Sequence, residues 1–304
     1  MIAMALANNP AFKDIILAVS IGNETQVDFA GQRTKPETLA GYLRTVRNQI
    51  TQPVTTDDNW KAWAEMPAVI TNEVDFASIH IYAQLDTFFN PRLFDWRQRD
   101  VLPEASRAAA MMDAVMVETR RQYDEARKAF DAKGLSYIPI TVGESGWNVI
   151  DPRLSFRAHP VNQKMYFDRV TAWADEGRTG AGPEAVFYFV AFDEQWKQGD
   201  DGWGLFNKDR QARYAIQAIN PNNSPAGGAT WVWAPGTLTD ADALYFQPPV
   251  VNAAITQDKY TLYTDVAAGA SEVRPTGLRW DAFDGTTAAR NEASPNFGPG
   301  DASN

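Results

Sequence analysis

The sequence contains no cysteine and only two histidines. The absence of cysteine excludes disulfides and thiolate chemistry, and it is compatible with either redox compartment. The histidines, His80 and His159, lie far apart in the sequence, which argues against a zinc or iron site of the usual type. No run of residues approaches the roughly 20 apolar residues that a membrane-spanning helix needs. We therefore predict a protein with no metal, no other cofactor and no membrane span.

Positive charge is also scarce. The chain has 28 lysines and arginines against 38 aspartates and glutamates, which gives a formal net charge of −10. This balance argues against a nucleic-acid backbone or an anionic membrane as a partner, whereas a neutral ligand such as a glycan is unaffected by it. Hydrophobic residues make up 44% of the chain, enough for a substantial core. The 10 Trp, 10 Tyr and 16 Phe also suit stacking against sugar rings.

Short apolar segments alternate with helical patterns over the first 220 residues. A capping box at Thr34–Glu37 opens the first helix, whose apolar face is Leu39, Tyr42, Leu43, Val46 and Ile50. A long loop is predicted at 83–103. The predicted strands are 15–21, 53–56, 74–82, 137–142 and 185–192, and the further predicted helices are 104–133, 163–175 and 208–219. This order is typical of a parallel α/β fold.

Polar residues recur where the predicted strands end, at Asn23, Glu24, Tyr82, Glu144 and Glu194. In a (β/α)8 barrel the active site lies at this end of the strands, so we predict a barrel. A flat doubly wound sheet is the alternative, but no Gly-x-Gly-x-x-Gly fingerprint follows any predicted strand.

The composition changes after residue 220. A stretch rich in Pro, Asn, Ser and Gly at 221–228 is typical of a linker, and short β-type segments follow it without a helical pattern. We predict a catalytic domain at 1–220, a linker with a short β-type extension at 221–290, and a disordered tail at 291–304.

Two predicted strands end in the same way, with a glycine followed closely by a glutamate. The first is followed by Gly22, Asn23 and Glu24, and the fourth by Gly143 and Glu144. Two carboxylates at the mouths of parallel strands are the minimal apparatus for cutting a glycosidic bond. One carboxyl group donates a proton, and the other acts as an ionised nucleophile or base.

Three motifs around these residues resemble the signatures of glycoside hydrolase family 17. They are Ser20–Glu24, Val142–Trp147 and Phe192–Lys197, and their order and spacing make the resemblance specific. It covers roughly residues 1–220. The resemblance implies a (β/α)8 barrel and a retaining reaction on β-1,3-glucan without a cofactor.

The resemblance also implies roles for individual residues. Glu24 is then the acid/base at the end of the fourth barrel strand, and Glu144 is the nucleophile at the end of the seventh. Asn23 is expected to bind the sugar 2-hydroxyl. Tyr82, in the motif His80-Ile81-Tyr82, is expected to orient the nucleophile, while His80 itself is predicted to be a hydrogen-bonded strand residue and His159 a loop residue.

Further glucan contacts are implied near the third motif. Glu194 and Lys197 match acidic and lysine residues of the family, and a second acidic residue maps to Asp200 or Asp201. The expected aromatic walls of the glucan cleft are Trp147, Phe192, Trp196 and Trp203. The alternative is that Glu194 and Lys197 form only a surface ion pair and that Trp196 and Trp203 are packing residues.

One departure concerns the number of strands. The acid/base strand is the fourth in the family, yet here it is the first, so strands one to three have no counterpart and we predict an incomplete barrel of strands four to eight. To explain the missing strands, we favour a truncated gene model or fragment that starts at an internal methionine over a circular permutation. We expect this chain alone to be poorly stable or inactive, since an open sheet leaves unpaired edges and apolar surface.

These observations lead to one leading function and two alternatives. The leading one is a retaining β-1,3-glucan (laminarin-type) hydrolase. The alternatives are a β-1,3-glucanosyltransferase that uses the same glutamates, and a glucan-binding fragment without catalysis. The resemblance implies a secreted, periplasmic or cell-surface protein, although the N-terminus shows no signal-peptide pattern.

Overall fold

The computed structural model describes residues 2–96, 98, 100–103, 106–151, 153–154, 157–180, 182–197, 201–208 and 213–219. The predicted extension at 221–290 and tail at 291–304 lie outside these residues. Within the described part of the chain, no helix is both long enough and apolar enough to cross a membrane.

Five strands form one sheet. They are β1 (Val19–Asn23), β2 (Val54–Asn59), β3 (Ala77–His80), β4 (Ile140–Ser145) and β5 (Val186–Tyr188). Their order in the sheet follows the sequence, and the β1–β2, β2–β3 and β3–β4 pairs are parallel. A doubly wound sheet would reverse its strand order at a switch point. The sequential order with intervening helices therefore confirms an incomplete (β/α) barrel and excludes the flat alternative.

Helices lie between consecutive strands, and one further helix lies at each end of this series. They are α1 (Ile2–Ala7), α2 (Pro36–Arg47), α3 (Trp60–Glu65), α4 (Ala68–Thr71), α5 (Ala83–Phe89), α6 (Arg107–Ala132), α7 (Pro160–Gly177) and α8 (Tyr214–Ile219). The long helix predicted at 104–133 is confirmed as α6. The following Gly134 has a φ of 73°, the left-handed conformation that commonly ends a helix.

The predicted strand at 15–21 is wrong in its first half. Ile15 and Leu17 are 73% and 85% exposed, and β1 begins only at Val19. The amide groups of Ile15 and Ile16 both donate to the carbonyl of Phe12. This turn uses the backbone groups that a strand would need, so the apolar run 15–18 does not pair with β2.

The predicted start of α2 is also wrong. The helix begins at Pro36, its N-cap is Lys35, and no side chain caps it. Proline is well suited to the first position of a helix because the missing N–H has no partner there anyway. Thr34 instead donates its N–H to the carbonyl of Thr25. On the predicted apolar face, Leu39 and Leu43 are buried, whereas Tyr42 is 58% exposed.

The predicted loop at 83–103 contains α5, so that prediction is wrong for its first seven residues. The short helices α3 and α4 were not predicted at all. The strands predicted at 74–82 and 185–192 exist but are shorter, as β3 and β5, while β2 extends three residues beyond the predicted 53–56.

The chain divides into two compact units, each with its own core. Among the described residues, the first unit comprises those up to Ile81, Thr119–Ser145 and Ala172–Phe187, and the second comprises those from Tyr82 to Glu118, from Gly146 to Thr171 and from Tyr188 to Ile219. Buried side chains of the first unit include Leu43, Val54, Trp63, Ile79, Phe130 and Val142. Those of the second unit include Trp96, Met111, Trp147, Val161 and Tyr166.

Candidate active site

Two strands of the first unit contain one extra residue shortly before a glutamate, which is Glu24 just after β1 and Glu144 near the end of β4. Between Ser20 and Asn23, β1 advances three residues while β2 advances two. Between Val142 and Glu144, β4 advances two residues while β3 advances one. Such bulges re-aim the side chains that follow them. The glycines that the sequence places before Glu24 and Glu144 therefore lie in bulges that direct these glutamates.

The bulge in β4 requires glycine at position 143. A Cβ on Gly143 would overlap Ser78 Oγ and would lie 3.0 Å from Asp57 Oδ1. The close approach of these two side chains leaves no room for any other residue. The extra residue is thus accommodated without displacing β3, and Glu144 becomes the register partner of His80.

The end of β1 has an unusual backbone. Gly22 and Glu24 have φ values of 87° and 49°. The second value is uncommon for a residue other than glycine and persists only where the surroundings hold it. The amide of Glu24 donates to the carbonyl of Asp57 at 2.8 Å, which ties this conformation to β2.

The side chains of Glu24 and Glu144 meet at one imidazole. His80 Nδ1 lies 3.1 Å from Glu24 Oε1 and 3.5 Å from Glu144 Oε2. These two carboxylate oxygens are therefore no farther apart than the sum of the two distances. The His80 side chain is fully buried, whereas those of Glu24 and Glu144 are 27% and 26% exposed. Both glutamates are thus partly exposed to solvent, whereas the histidine that lies between them is buried.

The charges around His80 favour its protonated form. Burial lowers the pKa of His80, but the hydrogen bond to Glu24 and the charges of Glu144, Glu24 and Asp57 raise it more, so that the pKa lies above its usual 6.5. His80 Nε2 is buried and has no hydrogen-bond partner among the described residues. The prediction of a hydrogen-bonded strand histidine is confirmed, but its position between the two glutamates was missed.

Two further acidic residues of the first unit were missed. Asp57 and Asp58 are consecutive residues of β2, and they adopt different environments. Asp57 is partly buried and contributes charge near His80. Asp58 is fully buried, and its carboxylate accepts backbone N–H groups. Asn23, the register partner of Asp57, is exposed at the end of β1.

The second unit contains the other predicted site residues. Tyr82 directly precedes α5, and its ring packs edge-on against Trp203 and Phe189 at centroid distances of 5.3 and 6.1 Å. Trp147 was predicted to line a glucan cleft, but it is only 1% exposed and donates its indole N–H to the carbonyl of Arg157 at 2.8 Å. Trp147 is therefore an interior residue of this unit.

The third motif is largely open to solvent. Phe192 and Trp196 are 46% and 79% exposed, so both rings are available to a ligand. Lys197 Nζ forms an ion pair with Glu194 Oε2 at 2.5 Å and lies 5.1 Å from the centre of the Phe189 ring. The predicted ion pair between Glu194 and Lys197 thus exists.

The second acidic residue of the third motif was predicted to be Asp200 or Asp201. Asp200 lies outside the described residues, so only Asp201 can be assessed. Its Oδ1 accepts the N–H groups of Glu194 and Trp203. Burial raises the pKa of Asp201 to about 6, and the nearby charges of Asp193 and Glu194 also raise it, whereas the two backbone hydrogen bonds lower it.

This pKa predicts a pH-dependent stability. Because the folded-state pKa of Asp201 is above its ordinary 3.8, the folded protein binds the proton more tightly, and stability falls as the pH rises from about 4 through about 6. Asp201→Asn cannot ionise and keeps an acceptor oxygen. We expect the variant to melt a few degrees higher than the wild type at pH 8 and at the same temperature at pH 4.

Calorimetry across this pH range tests the expectation. The exposed carboxylate of Asp14 offers a matched control, because Asp14→Asn removes the same charge outside the interior. Melting curves of Asp201→Asn that run parallel to those of the wild type at every pH would contradict the assignment.

Among the described residues, no group of three or more His, Asp or Glu side chains is arranged to hold a metal ion.

No protein-family model matches the sequence, and a search of characterised proteins finds no match either. Solved structures do match.

The comparison that decides the fold is with an endo-laminarinase from Formosa Hel1_33_131. It aligns with a TM-score of 0.66 at 22% sequence identity, over 76% of this chain and 65% of that one. The chain shares the fold of an endo-laminarinase. This likeness supports the barrel-type fold that the motifs predicted, and the chain spans slightly less than two thirds of the laminarinase's length.

Two further structures align less closely. A glycoside hydrolase family 17 β-1,3-glucanosyltransferase from Rhizomucor miehei matches with a TM-score of 0.46 at 22% identity, over 69% of this chain and 66% of that one. CJP38, a β-1,3-glucanase and allergen of Cryptomeria japonica pollen, matches with a TM-score of 0.49 at 16% identity, over 69% of this chain and 75% of that one.

Proposed function

We propose that this chain carries the catalytic residues of a retaining glycoside hydrolase that acts on β-1,3-glucan. In this proposal Glu24 is the acid/base and Glu144 is the nucleophile. The observation that carries it is the meeting of the two glutamates at His80 Nδ1, at 3.1 and 3.5 Å. Two solvent-accessible carboxyl groups held this close are the apparatus of glycosidic bond cleavage.

The distance between the carboxyl groups bears on the stereochemistry. Retaining enzymes hold them about 5–5.5 Å apart, and inverting enzymes hold them about 6.5–9.5 Å apart to leave room for a water molecule. The sum of the two distances to His80 is the largest separation open to Glu24 Oε1 and Glu144 Oε2. This upper bound for one pair of oxygens is compatible with the spacing of retaining enzymes, and we propose retention from it together with the resemblance.

The first chemical step forms a glycosyl-enzyme. Ionised Glu144 attacks the anomeric carbon, and protonated Glu24 gives its proton to the glycosidic oxygen as the bond breaks. The leaving glucan departs as an alcohol. His80 holds both side chains through Nδ1, and its positive charge, when protonated, offsets the charge of Glu144.

The second step restores the enzyme. Glu24 is now a carboxylate and takes a proton from a water molecule. The oxygen of that water attacks the anomeric carbon and displaces Glu144. Two inversions give net retention. If a sugar hydroxyl replaces the water, the same residues perform glucanosyl transfer, so product length separates these two activities.

We assign the substrate contacts from the resemblance together with exposure. The exposed rings of Phe192 and Trp196 suit stacking against sugar faces, and Trp203 is partly exposed. Tyr82, Glu194, Lys197 and Asn23 are the proposed polar contacts to sugar hydroxyls. Because β-1,3-glucan is an external polymer for the family that the chain resembles, we also propose that the protein is secreted, periplasmic or on the cell surface.

The product anomer tests this function. Fresh hydrolysis of laminari-oligosaccharides, followed by proton NMR before mutarotation, is expected to show the β-anomer first. The assay uses the 304-residue chain and, beside it, the longest protein that contains these residues. Glu144→Gln serves as the inactive reference. Initial release of the α-anomer would overturn the assignment of a retaining mechanism, and products longer than the substrate would indicate transfer.

A further inference from the structure

A fully buried carboxylate lies directly beneath the loop that begins at Glu24. Asp58 Oδ2 accepts the N–H of Gln26 at 2.7 Å, and Oδ1 accepts the N–H of Val27 at 3.2 Å. Oδ1 also accepts the N–H of Asn59 at 2.8 Å. One side chain from β2 thus holds two consecutive amide groups that follow Glu24 in the sequence.

The same loop is fastened at its other end. The side-chain amide of Gln26 donates to the carbonyls of Thr25 and Thr34 at 3.1 and 3.0 Å. The N–H of Thr34 donates to the carbonyl of Thr25 at 3.0 Å. The loop is therefore closed on itself through Gln26, while Asp58 fixes it to the sheet.

This attachment adjoins a residue with an uncommon backbone conformation, Glu24. Its φ of 49° is uncommon for a residue with a side chain and persists only under external constraint. On one side, the amide of Glu24 is held by the carbonyl of Asp57. On the other side, Asp58 holds the amides two and three residues further on. These hydrogen bonds therefore constrain the backbone on both sides of Glu24.

We propose that Asp58 is a positioning residue for the acid/base: its buried carboxylate fixes the backbone after Glu24 and thereby places the Glu24 carboxyl group for proton transfer. This inference rests on the proposed function. A neutral residue would serve less well, because the asparagine side chain offers one acceptor oxygen and an NH2 group. In Asp58→Asn, one of the two loop amides would face a donor instead of an acceptor.

The cost of burying this charge is consistent with a positional role. Burial raises the pKa of Asp58, three backbone hydrogen bonds lower it, and the charge of Glu24 raises it, with a net increase. A buried carboxylate close to the acid/base is therefore kept in spite of an unfavourable environment. Its three N–H partners account for how it is tolerated.

The test compares two substrates on one enzyme preparation. Laminaritriose needs a proton on its leaving group, whereas the 2,4-dinitrophenyl glycoside of laminaribiose does not. We expect Asp58→Asn to lower kcat/KM for laminaritriose on the order of 10²-fold, because a misplaced catalytic group has effects of that size, and to lower kcat/KM for the aryl glycoside much less. The ratio is independent of the folded fraction, so partial misfolding does not affect it.

Matched variants separate position from mere stability. Asp75→Asn alters a carboxylate whose Oδ2 accepts the N–H of Val54 at 2.8 Å, at the opposite end of β2, and should leave the ratio unchanged. Gln26→Ala loosens the same loop from its other fastening and should shift the ratio in the same direction as Asp58→Asn. If Asp58→Asn does not fold, the ratio measured for Gln26→Ala tests the proposal in its place.

Two outcomes keep this inference distinct from the proposed function. If Glu24→Gln itself shows no dependence on the leaving group, the proposed function fails. If Glu24→Gln shows that dependence and Asp58→Asn lowers both substrates equally, the positioning role of Asp58 is overturned. Hydrogen exchange supplies a readout without activity: the amides of Gln26 and Val27 should lose protection in Asp58→Asn, and retained protection would also overturn the proposal.

Discussion

Glu144→Ala, made in whichever of the two proteins hydrolyses laminarin (the 304-residue chain or the longer protein tested beside it), is expected to reduce kcat by at least about 10⁴-fold, the scale on which removal of a nucleophile acts. The variant lacks the group that forms the glycosyl-enzyme, so the first displacement cannot occur. Truncation of this side chain, which is 26% exposed, removes some packing, but it also removes one of three negative charges around His80. The melting temperature is therefore expected to change much less than the rate.

Azide distinguishes the two glutamates by stereochemistry. In Glu144→Ala, azide can enter the space of the missing carboxylate and attack an activated β-glycoside directly, which gives an α-glycosyl azide. In Glu24→Ala, azide attacks the glycosyl-enzyme, which gives a β-glycosyl azide. The reverse pattern would exchange the roles of Glu24 and Glu144. Glu184→Ala, an exposed glutamate before β5, is the control and should retain full activity.

The sequence was most informative where a glycine preceded a glutamate. Gly22 with Glu24 and Gly143 with Glu144 pointed to two carboxylates at strand ends, and the structure brings both to His80. The bulges themselves could not be predicted. They depend on register with the neighbouring strands and on how closely Ser78 and Asp57 approach position 143, and neither is visible in a local pattern.

Asp57 and Asp58 were missed because aspartate is rare in strands, so the predicted strand ended at residue 56. In the structure, β2 continues through Asn59 because β1 pairs with it on one side and β3 on the other. The carboxylate of Asp58 also finds backbone donors in a loop that is distant in sequence. Tertiary contacts therefore override the local preference here.

The error at residues 15–18 has the opposite cause. Their β-branched and aliphatic side chains favour a strand, but the preceding residues form a hydrogen-bonded turn around Phe12. Leu17, at 85% exposure, shows that an apolar run does not by itself specify burial. Trp147 shows the same limit for function, since its motif suggested a sugar contact and its indole N–H is used inside the second unit.

The largest effect on stability is expected at a buried ion pair of the second unit. Arg213 and Asp193 have fully buried side chains and form two parallel hydrogen bonds, at 2.9 Å between Nη1 and Oδ1 and at 2.6 Å between Nη2 and Oδ2. Asp193 Oδ1 also accepts the N–H of Gly204 at 2.7 Å, and Arg213 Nη1 donates to the carbonyl of the same residue. The pair therefore fixes the backbone that follows the third motif.

Arg213→Met is expected to lower the free energy of unfolding by about 3–5 kcal/mol, because it leaves the Asp193 carboxylate buried without its cation. Urea denaturation measures the loss. Adding Asp193→Asn to that variant should recover part of the lost stability, since the uncompensated charge is removed. Asp175→Asn, in the exposed pair with Arg178, should change stability by less than about 1 kcal/mol. An equally small change in Arg213→Met would show that the buried pair contributes no more than a surface pair.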